Sequence, residues 1–284
     1  MNARKRLLLV DGMNLLFQMY YGMPSRIINS QGKAIQGTMG FVGALLKVAS
    51  IVDPSHVLVI FDGEHENSRC LIDSEYKANR LDDDGPFTQI DDVYSALDWM
   101  HVEHFETTDC EADDMIASYV SAYEDSYDIT ICSHDSDFFQ LIGPHVKVLR
   151  YRGKSSIVCD EEYLKEKHGI ASNQYVDFKC MTGDSADNIK GLYGVGPKTA
   201  SKLLNSYGNL ENLLANTELI VNRSLRENVL SNKDRLLRNK ALITMDAKVN
   251  RPLSDDECVF INSGYKTRDV LLSLNLLCSF RIRL

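Results

Sequence analysis

The stretch Asp128-Ile129-Thr130-Ile131-Cys132-Ser133-His134-Asp135-Ser136-Asp137 decides the fold. Its first five residues form a short β-branched-rich run, and the run empties directly into two acids. Two earlier stretches repeat this design: Leu7 to Val10 meets Asp11, and His56 to Phe61 meets Asp62. Short apolar runs of this kind suit strands buried on both faces of a parallel sheet. Val146 to Arg150 is expected as a fourth strand. Between the first two runs, Gly40 to Val52 carries helical spacing at Phe41, Leu45, Val48 and Val52; before the third, Met115, Ile116, Tyr119, Val120 and Tyr123 mark one helix face. Strands alternating with helices predict an α/β fold with a mostly parallel sheet flanked by helices. In such open sheets active sites form beyond the carboxyl ends of the strands, so the strand-terminal acids should converge on one rim.

Two more acidic groups join them. Glu111, Asp113 and Asp114 stand at the start of the second helix, and Asp184 and Asp187 lie three residues apart in Gly183-Asp184-Ser185-Ala186-Asp187. Singly, each group has an ordinary explanation, as a helix cap or a turn residue. Together, Asp11, Asp62, Glu111, Asp113, Asp114, Asp135, Asp137, Asp184 and Asp187 are nine carboxylates whose convergence without cations costs several kcal/mol in repulsion and desolvation. All-oxygen ligands select hard cations, Mg²⁺ or Mn²⁺, over zinc. Two such ions roughly 4 Å apart clamp the attacking and leaving oxygens of a phosphoryl displacement. Asp135 and Asp137 are the acids expected at the centre of that chemistry. No Cys-His or Ser-His arrangement competes.

The net charge of −9, from 40 acids and 31 bases, argues at first against a nucleic-acid partner. Setting the nine site candidates aside leaves 31 acids against 31 bases, so distribution matters more than the sum. Seven cysteines at irregular spacing, without a CxxC, argue against a disulfide framework or a zinc site. No apolar run approaches the roughly 18 residues that span a bilayer. A cytoplasmic protein, without a membrane partner, is expected.

From about 64 to 89 the chain turns polar, a long exposed excursion holding Arg69, Tyr76, Lys77 and Arg80. Lys77 and Arg80, three apart, would share a helix face and draw a phosphate toward the acids, and Tyr76 would stack on an exposed base. A solvated loop with incidental charges explains these four residues equally well. The run Gly191-Leu192-Tyr193-Gly194-Val195-Gly196-Pro197-Lys198-Thr199-Ala200 is more specific. Pro197 suits the first turn of a helix, and the glycines before it permit close backbone approach and positive φ. Amides at that helix start would bind a phosphate oxygen. Pro197 stands where a P-loop has its lysine, which rejects a nucleotide-binding loop. Apolar spacing at Ala200, Leu203 and Leu204, then at Leu210, Leu213 and Leu214, predicts two short helices that grip nucleic-acid backbone. Residues 223 to 251 carry eight bases and three acids, a local excess that suits duplex DNA, though a solvated helical face explains it too.

The segments LLLVDG, VIFDGE, EYKANR, CEADD, SHDSDFFQL and GDSADNIKGLYGVGPKTASKLL together resemble the bacterial and phage 5′-3′ exonucleases and flap endonucleases. The likeness runs in order from about residue 6 to 215. It implies a PIN-like nuclease core over residues 1–180 with a helical arch at about 64–89. A helical DNA-binding region would occupy residues 181–284, with a helix–three-turn–helix motif at about 184–215. By resemblance, all nine acids fall on metal-site positions, and Lys77 and Arg80 on arch residues that engage the scissile phosphate. Gly191, Gly194 and Gly196, with Lys198 and Thr199, fall on the motif that binds duplex backbone, often with K⁺ held by main-chain carbonyls. The segment holding Thr38, Gly40 and Phe41 resembles the part near the second duplex arm. One departure stands out: Gln18 occupies a position that usually carries arginine.

The function expected is a structure-specific 5′ nuclease that hydrolyses DNA at 5′ flaps, nicks or 5′ ends by two-metal catalysis. It would act as a monomer and work beside a DNA polymerase in trans. The alternatives are a catalytically silent DNA-binding protein of the same fold and a PIN-type ribonuclease. A Mg²⁺-dependent phosphatase built on Asp135 and Asp137 would have no use for the basic excursion or the glycine motif.

Overall fold

Each apolar run becomes a strand of one six-stranded sheet: β1 (Lys5–Asp11), β2 (His56–Phe61), β3 (Glu103–Glu106), β4 (Tyr127–Cys132), β5 (Val146–Arg150) and β6 (Ile157–Cys159). The computed structural model describes residues 4–63, 68–79 and 85–277. The strand order is β3-β2-β1-β4-β5-β6, and every pairing is parallel except β5 with β6. The chain lays β2 and β3 to one side of β1, then returns to place β4 and β5 on the other. The strand order therefore reverses between β1 and β4, the place where an open α/β sheet has its crevice. Sequence patterning missed β3 and β6. Both are edge strands, and β3 reads Glu-His-Phe-Glu, since an edge is kept from pairing further by charge rather than buried.

Alternate residues of the central strands enter opposite cores. Leu8, Val10, Val57, Val59 and Phe61 pack under α1 (Gly12–Gly22), α2 (Gln36–Val52) and α3 (Ile90–Met100). Leu7, Leu9, Leu58, Ile60, Ile129 and Ile131 pack against α4 (Ala112–Tyr123) and the apolar faces of the second half of the chain. That half holds α5 (Glu161–His168), α6 (Tyr175–Thr182), a two-stranded hairpin of β7 (Gly183–Asp184) and β8 (Ile189–Lys190), α7 (Pro197–Tyr207), α8 (Leu210–Ala215), α9 (Arg223–Ser231) and α10 (Lys233–Ile243). One apolar cluster runs continuously from β1 to Leu242, so these helices share the core of the sheet. A final helix, α11 (Thr267–Ser273), returns to α2 and α3 through Val270.

Pro197 opens α7 at its first turn, as its missing N–H allows. The hairpin needs glycine at two places. Gly183 has φ +79°, and a Cβ on Gly191 would lie 2.4 Å from the Met181 carbonyl oxygen. Between 64 and 89 the described residues form 3₁₀ turns at Ser68–Leu71 and Phe87–Gln89, and no α-helix. Lys77 has φ +57°, so it does not sit on an α-helix, and the expectation that it shares a helix face with Arg80 reaches outside the described residues. Arg80 itself lies outside the described residues. The six described cysteines form no disulfide, and no described helix is long and apolar enough to cross a membrane.

Candidate active site

Parallel register brings three acids to one rim. Asp11 ends β1 opposite Ile60, with Asp62 two residues farther on, just past the end of β2; Val10 lies opposite Cys132, three residues before Asp135. Asp11 is buried and caps α1, its Oδ1 accepting from the Asn14 amide at 3.0 Å and its Oδ2 from the Ser133 hydroxyl at 2.8 Å. The Ser133 hydroxyl in turn accepts from the Asp135 amide at 3.0 Å, and the Asn14 side chain accepts from the His134 amide at 2.9 Å. Asp62 reaches across to α4, accepting from the Ala112 amide at 2.7 Å. That contact sets the first turn of α4, and with it Asp113, over the strand ends.

These carboxylates repel one another. Burial, then the charges of Asp62 and Asp135, push Asp11 up to about 7. Asp113 is raised well above the ordinary range by burial and by Asp135, Asp11 and Asp62. Asp11, Asp62, Asp113 and Asp135 therefore form one electrostatic group that binds a proton or a cation to relieve its charge.

A second group adjoins it. Asp137, Asp184 and Asp187 each offer an oxygen, the three lying within 4.8 Å of one another. The Asp135 carboxylate links the groups, for it accepts from the Asp137 amide at 2.8 Å. Lys179, buried in α6, donates to both Asp137 and Asp184. Burial pushes Asp137 up to about 6 against the pull of Lys179, with Asp135 and Asp184 adding to the rise. Burial also opposes ionisation of Asp184, but the ammonium of Lys179 and the Ala186 amide hold it below the usual carboxylate range. An ammonium thus stands on two of the three carboxylates. Both groups present oxygen donors only, which fits a hard divalent cation.

Several sequence expectations need correction. Asp114 does not face the rim: both of its oxygens bond the guanidinium of Arg69, at 2.7 and 2.9 Å, and one also accepts from the Asp246 amide. Arg69 is 7% exposed, bonds Glu111 as well, and donates to the carbonyls of Leu242 and Thr244. It fastens the described part of the excursion to the core. Glu111 is shared between Arg69 and Lys77, whose ammonium also lies 5.0 Å over the Tyr76 ring. Tyr76 is 6% exposed in the apolar core, so no base can stack on it there. Thr38 is buried and its amide donates to Gln89; Gly40 packs on Met19; Phe41 stacks on Phe61. The α2 start is thus turned inward, because its apolar stripe must cover the sheet. Gln18 donates to the Tyr151 carbonyl at 2.5 Å.

The glycine motif, by contrast, is open. Tyr193 is 93% exposed, Gly194 has φ +71°, and Gly196 caps α7 with open space where a side chain would stand. Lys198 and Lys202, one turn apart on α7, are exposed, and Thr199 is half-buried beside them. Four of the eight bases in residues 223–251 pair with side chains within the protein: Arg238 with Asp73, Lys240 with Asp177 and Glu211, Arg251 with Ser118, Arg223 with Glu227. Sequence reading missed Asn14, Ser133 and Lys179. For Lys179 a signal existed, a lone cation between Phe178 and Cys180-Met181 in an apolar helix.

Residues 6–169 match the family of 5′-3′ exonuclease N-terminal resolvase-like domains, and residues 170–263 match the 5′-3′ exonuclease C-terminal SAM fold. DNA polymerase I of Streptococcus pneumoniae is 32% identical over 264 residues, 90% of this chain and 30% of that protein. DNA polymerase I of Bacillus subtilis is 33% identical over 254 residues, 86% of this chain and 28% of that protein. The chain thus spans under a third of the length of these curated relatives. Bacteriophage T5 5′-exonuclease, solved with divalent zinc, shares the fold at a TM-score of 0.72 and 23% identity, over 85% of this chain and 90% of that one. The catalytic core of Rad2, solved with a DNA substrate, does so at 0.59 and 16%, over 97% and 92%. With two adjoining acid groups at the switch point of such a fold and matches over residues 6–263, the chain belongs to the 5′-3′ exonuclease family.

Proposed function

We propose that the chain is a structure-specific 5′ nuclease that hydrolyses DNA phosphodiester bonds at 5′ flaps, nicks or 5′ ends with two divalent ions, Mg²⁺ or Mn²⁺. The observation that carries this reading is the pair of acid groups joined through Asp135. Asp11, Asp62, Asp113 and Asp135 would hold one ion; Asp137, Asp184 and Asp187 would hold the other. When bound, the ions supply an activated water and charge for the departing oxygen. The chain's own residues do the rest. Asn14 and Ser133 aim Asp11 and Asp135, Lys179 balances Asp137 and Asp184, and Lys77 stands at Glu111 beside both groups. Glu111 acts through Lys77. Among the arch residues, Lys77 is the described cation best placed to meet a phosphate entering the rim, with Arg80 following it in sequence.

The open turn at Gly191, Gly194 and Gly196, followed by Lys198, Thr199 and Lys202, would grip duplex backbone through main-chain amides and lysines. A K⁺ ion on the carbonyls of that turn belongs to the same reading. Similarity to 30% of the length of DNA polymerase I supports a polymerase context, with a polymerase as partner in trans; the reading takes the nuclease as a cytoplasmic monomer. The T5 flap endonuclease, solved with DNA and metal ions, supports the substrate and the cofactor class. The test is a 5′-flapped duplex labelled at its 5′ end, incubated with Mg²⁺, Mn²⁺ or EDTA, with products resolved by size. Cleavage near the flap junction with either metal and none with EDTA is expected. Binding without cleavage under both metals would refute the proposal.

A further inference from the structure

The described part of the excursion is laced to the turn that carries Asp184 and Asp187. The Lys77 amide donates to the Asp187 carbonyl at 3.1 Å. The Asn79 side chain donates to the Ser185 carbonyl at 2.9 Å, and the Asn188 side chain donates back to the Glu75 carbonyl at 2.8 Å. The partners run in opposite directions, 75 with 188, 77 with 187 and 79 with 185. The Tyr76 hydroxyl adds a long contact of 3.5 Å to the Asp187 carboxylate from inside the core. Asn188 serves twice, since it also takes the left-handed backbone, φ +58°, that closes the β7–β8 hairpin.

We propose that Asn79 and Asn188 are positioning residues that make segment 75–79 and turn 184–188 a single ordering unit. This rests on the reading of Asp184 and Asp187 as ligands of the second ion. Two-site coupling is reciprocal. Whatever fixes Asp184 and Asp187 steadies Lys77 over the rim, and a phosphate held by Lys77 tightens the second ion site in return. The enzyme would then complete its second ion site most fully when substrate is seated at the excursion.

Asn188→Gly isolates the side chain, because glycine keeps the left-handed backbone at no steric cost. Asn79→Ala removes the reciprocal donor. The full chain is read in two ways: hydrogen exchange of the 75–79 and 183–188 amides without metal, and Mn²⁺ stoichiometry and affinity by EPR. Each variant is expected to speed exchange of the Lys77 amide and to weaken the weaker of two Mn²⁺ ions by about fivefold, the worth of one hydrogen bond. The stronger ion should not move, whereas a general structural defect would weaken both ions. The double variant should fall short of the product of the singles, as expected for one coupled unit. Unchanged exchange and unchanged Mn²⁺ affinity in both single variants would overturn the proposal. Absence of Mn²⁺ binding in the wild type would overturn the metal reading of Asp184 and Asp187, while the metal-free exchange measurement would still decide the lacing.

Discussion

Replacing Lys179 with methionine removes the ammonium that stands on Asp137 and Asp184 while keeping an unbranched chain one atom shorter. The side chains involved are 7%, 13% and 16% exposed, so water cannot take over the lost charge. Removing one partner of a buried ion pair costs about 3–5 kcal/mol, which in a chain of this size lowers Tm by roughly 10 °C. The loss depends on pH. Burial already lifts Asp137 from 3.8 to about 6, and the charges of Asp135 and Asp184 push the same way. Without Lys179 the carboxyl rises further and takes up a proton near neutrality. Lys179 holds Asp137 at about 6 where the variant's carboxyl sits higher, so the stability it contributes is present above that range and lost as pH falls through about 6; the Tm gap between wild type and variant should be widest near pH 8 and narrow toward pH 5. It should also close with metal, because a divalent ion becomes the remaining counter-charge for three acids. Differential scanning fluorimetry at pH 5, 6.5 and 8, with EDTA or with millimolar Mn²⁺, measures all three effects. A pH-independent gap that Mn²⁺ leaves untouched would refute the view of Lys179 as a cation standing within an ion site.

Three further outcomes are expected. Asp11→Asn removes one charge from the repelling rim, so metal-free stability in urea should rise by about 1–2 kcal/mol while the Mn²⁺-induced gain shrinks and flap cleavage is lost; a destabilised metal-free variant would contradict the repulsion argument. For the wild type, Asp11 sits at about 7 in the folded protein against 3.8 when unfolded, so the folded state binds the extra proton and metal-free stability should fall as pH rises between those values. The Tm gain on adding Mg²⁺ should accordingly be larger at pH 8 than at pH 5, as scanning calorimetry would show. Arg69→Met leaves Glu111 and Asp114 without their guanidinium and should cost about 3–5 kcal/mol in urea unfolding, unrelieved by Mg²⁺; recovery with metal would return Asp114 to the ion site.

Much of the architecture was legible in the chain. Apolar runs ending in acids located β1, β2 and β4, and their buried, β-branched composition predicted parallel pairing. Rim geometry followed, since parallel strands place their carboxyl ends together. The strands missed were β3 and β6, because edges carry charge or stop after three residues and lose the apolar signal. The exposed glycine turn before Pro197 was legible for a local reason: positive φ and a missing N–H are properties of single residues.

What composition and spacing determined by themselves was the inventory: nine carboxylates in five groups, a polar excursion and a glycine-rich turn before Pro197. Only the tertiary structure decided which members meet. Asp113 and Asp114 are neighbours in sequence, yet one turn of helix points the first at Asp11, Asp62 and Asp135 and the second into Arg69. Tyr76, Arg69 and Thr38 read as surface contacts and are buried, Tyr76 and Thr38 by packing and Arg69 by its bonds to Glu111 and Asp114. Lys179 was invisible as a site residue because its partners arrive from a 3₁₀ turn 42 residues earlier and a hairpin five residues later. Local chemistry is written in adjacent residues; charge balance is settled by long-range packing, and spacing along the chain does not encode it.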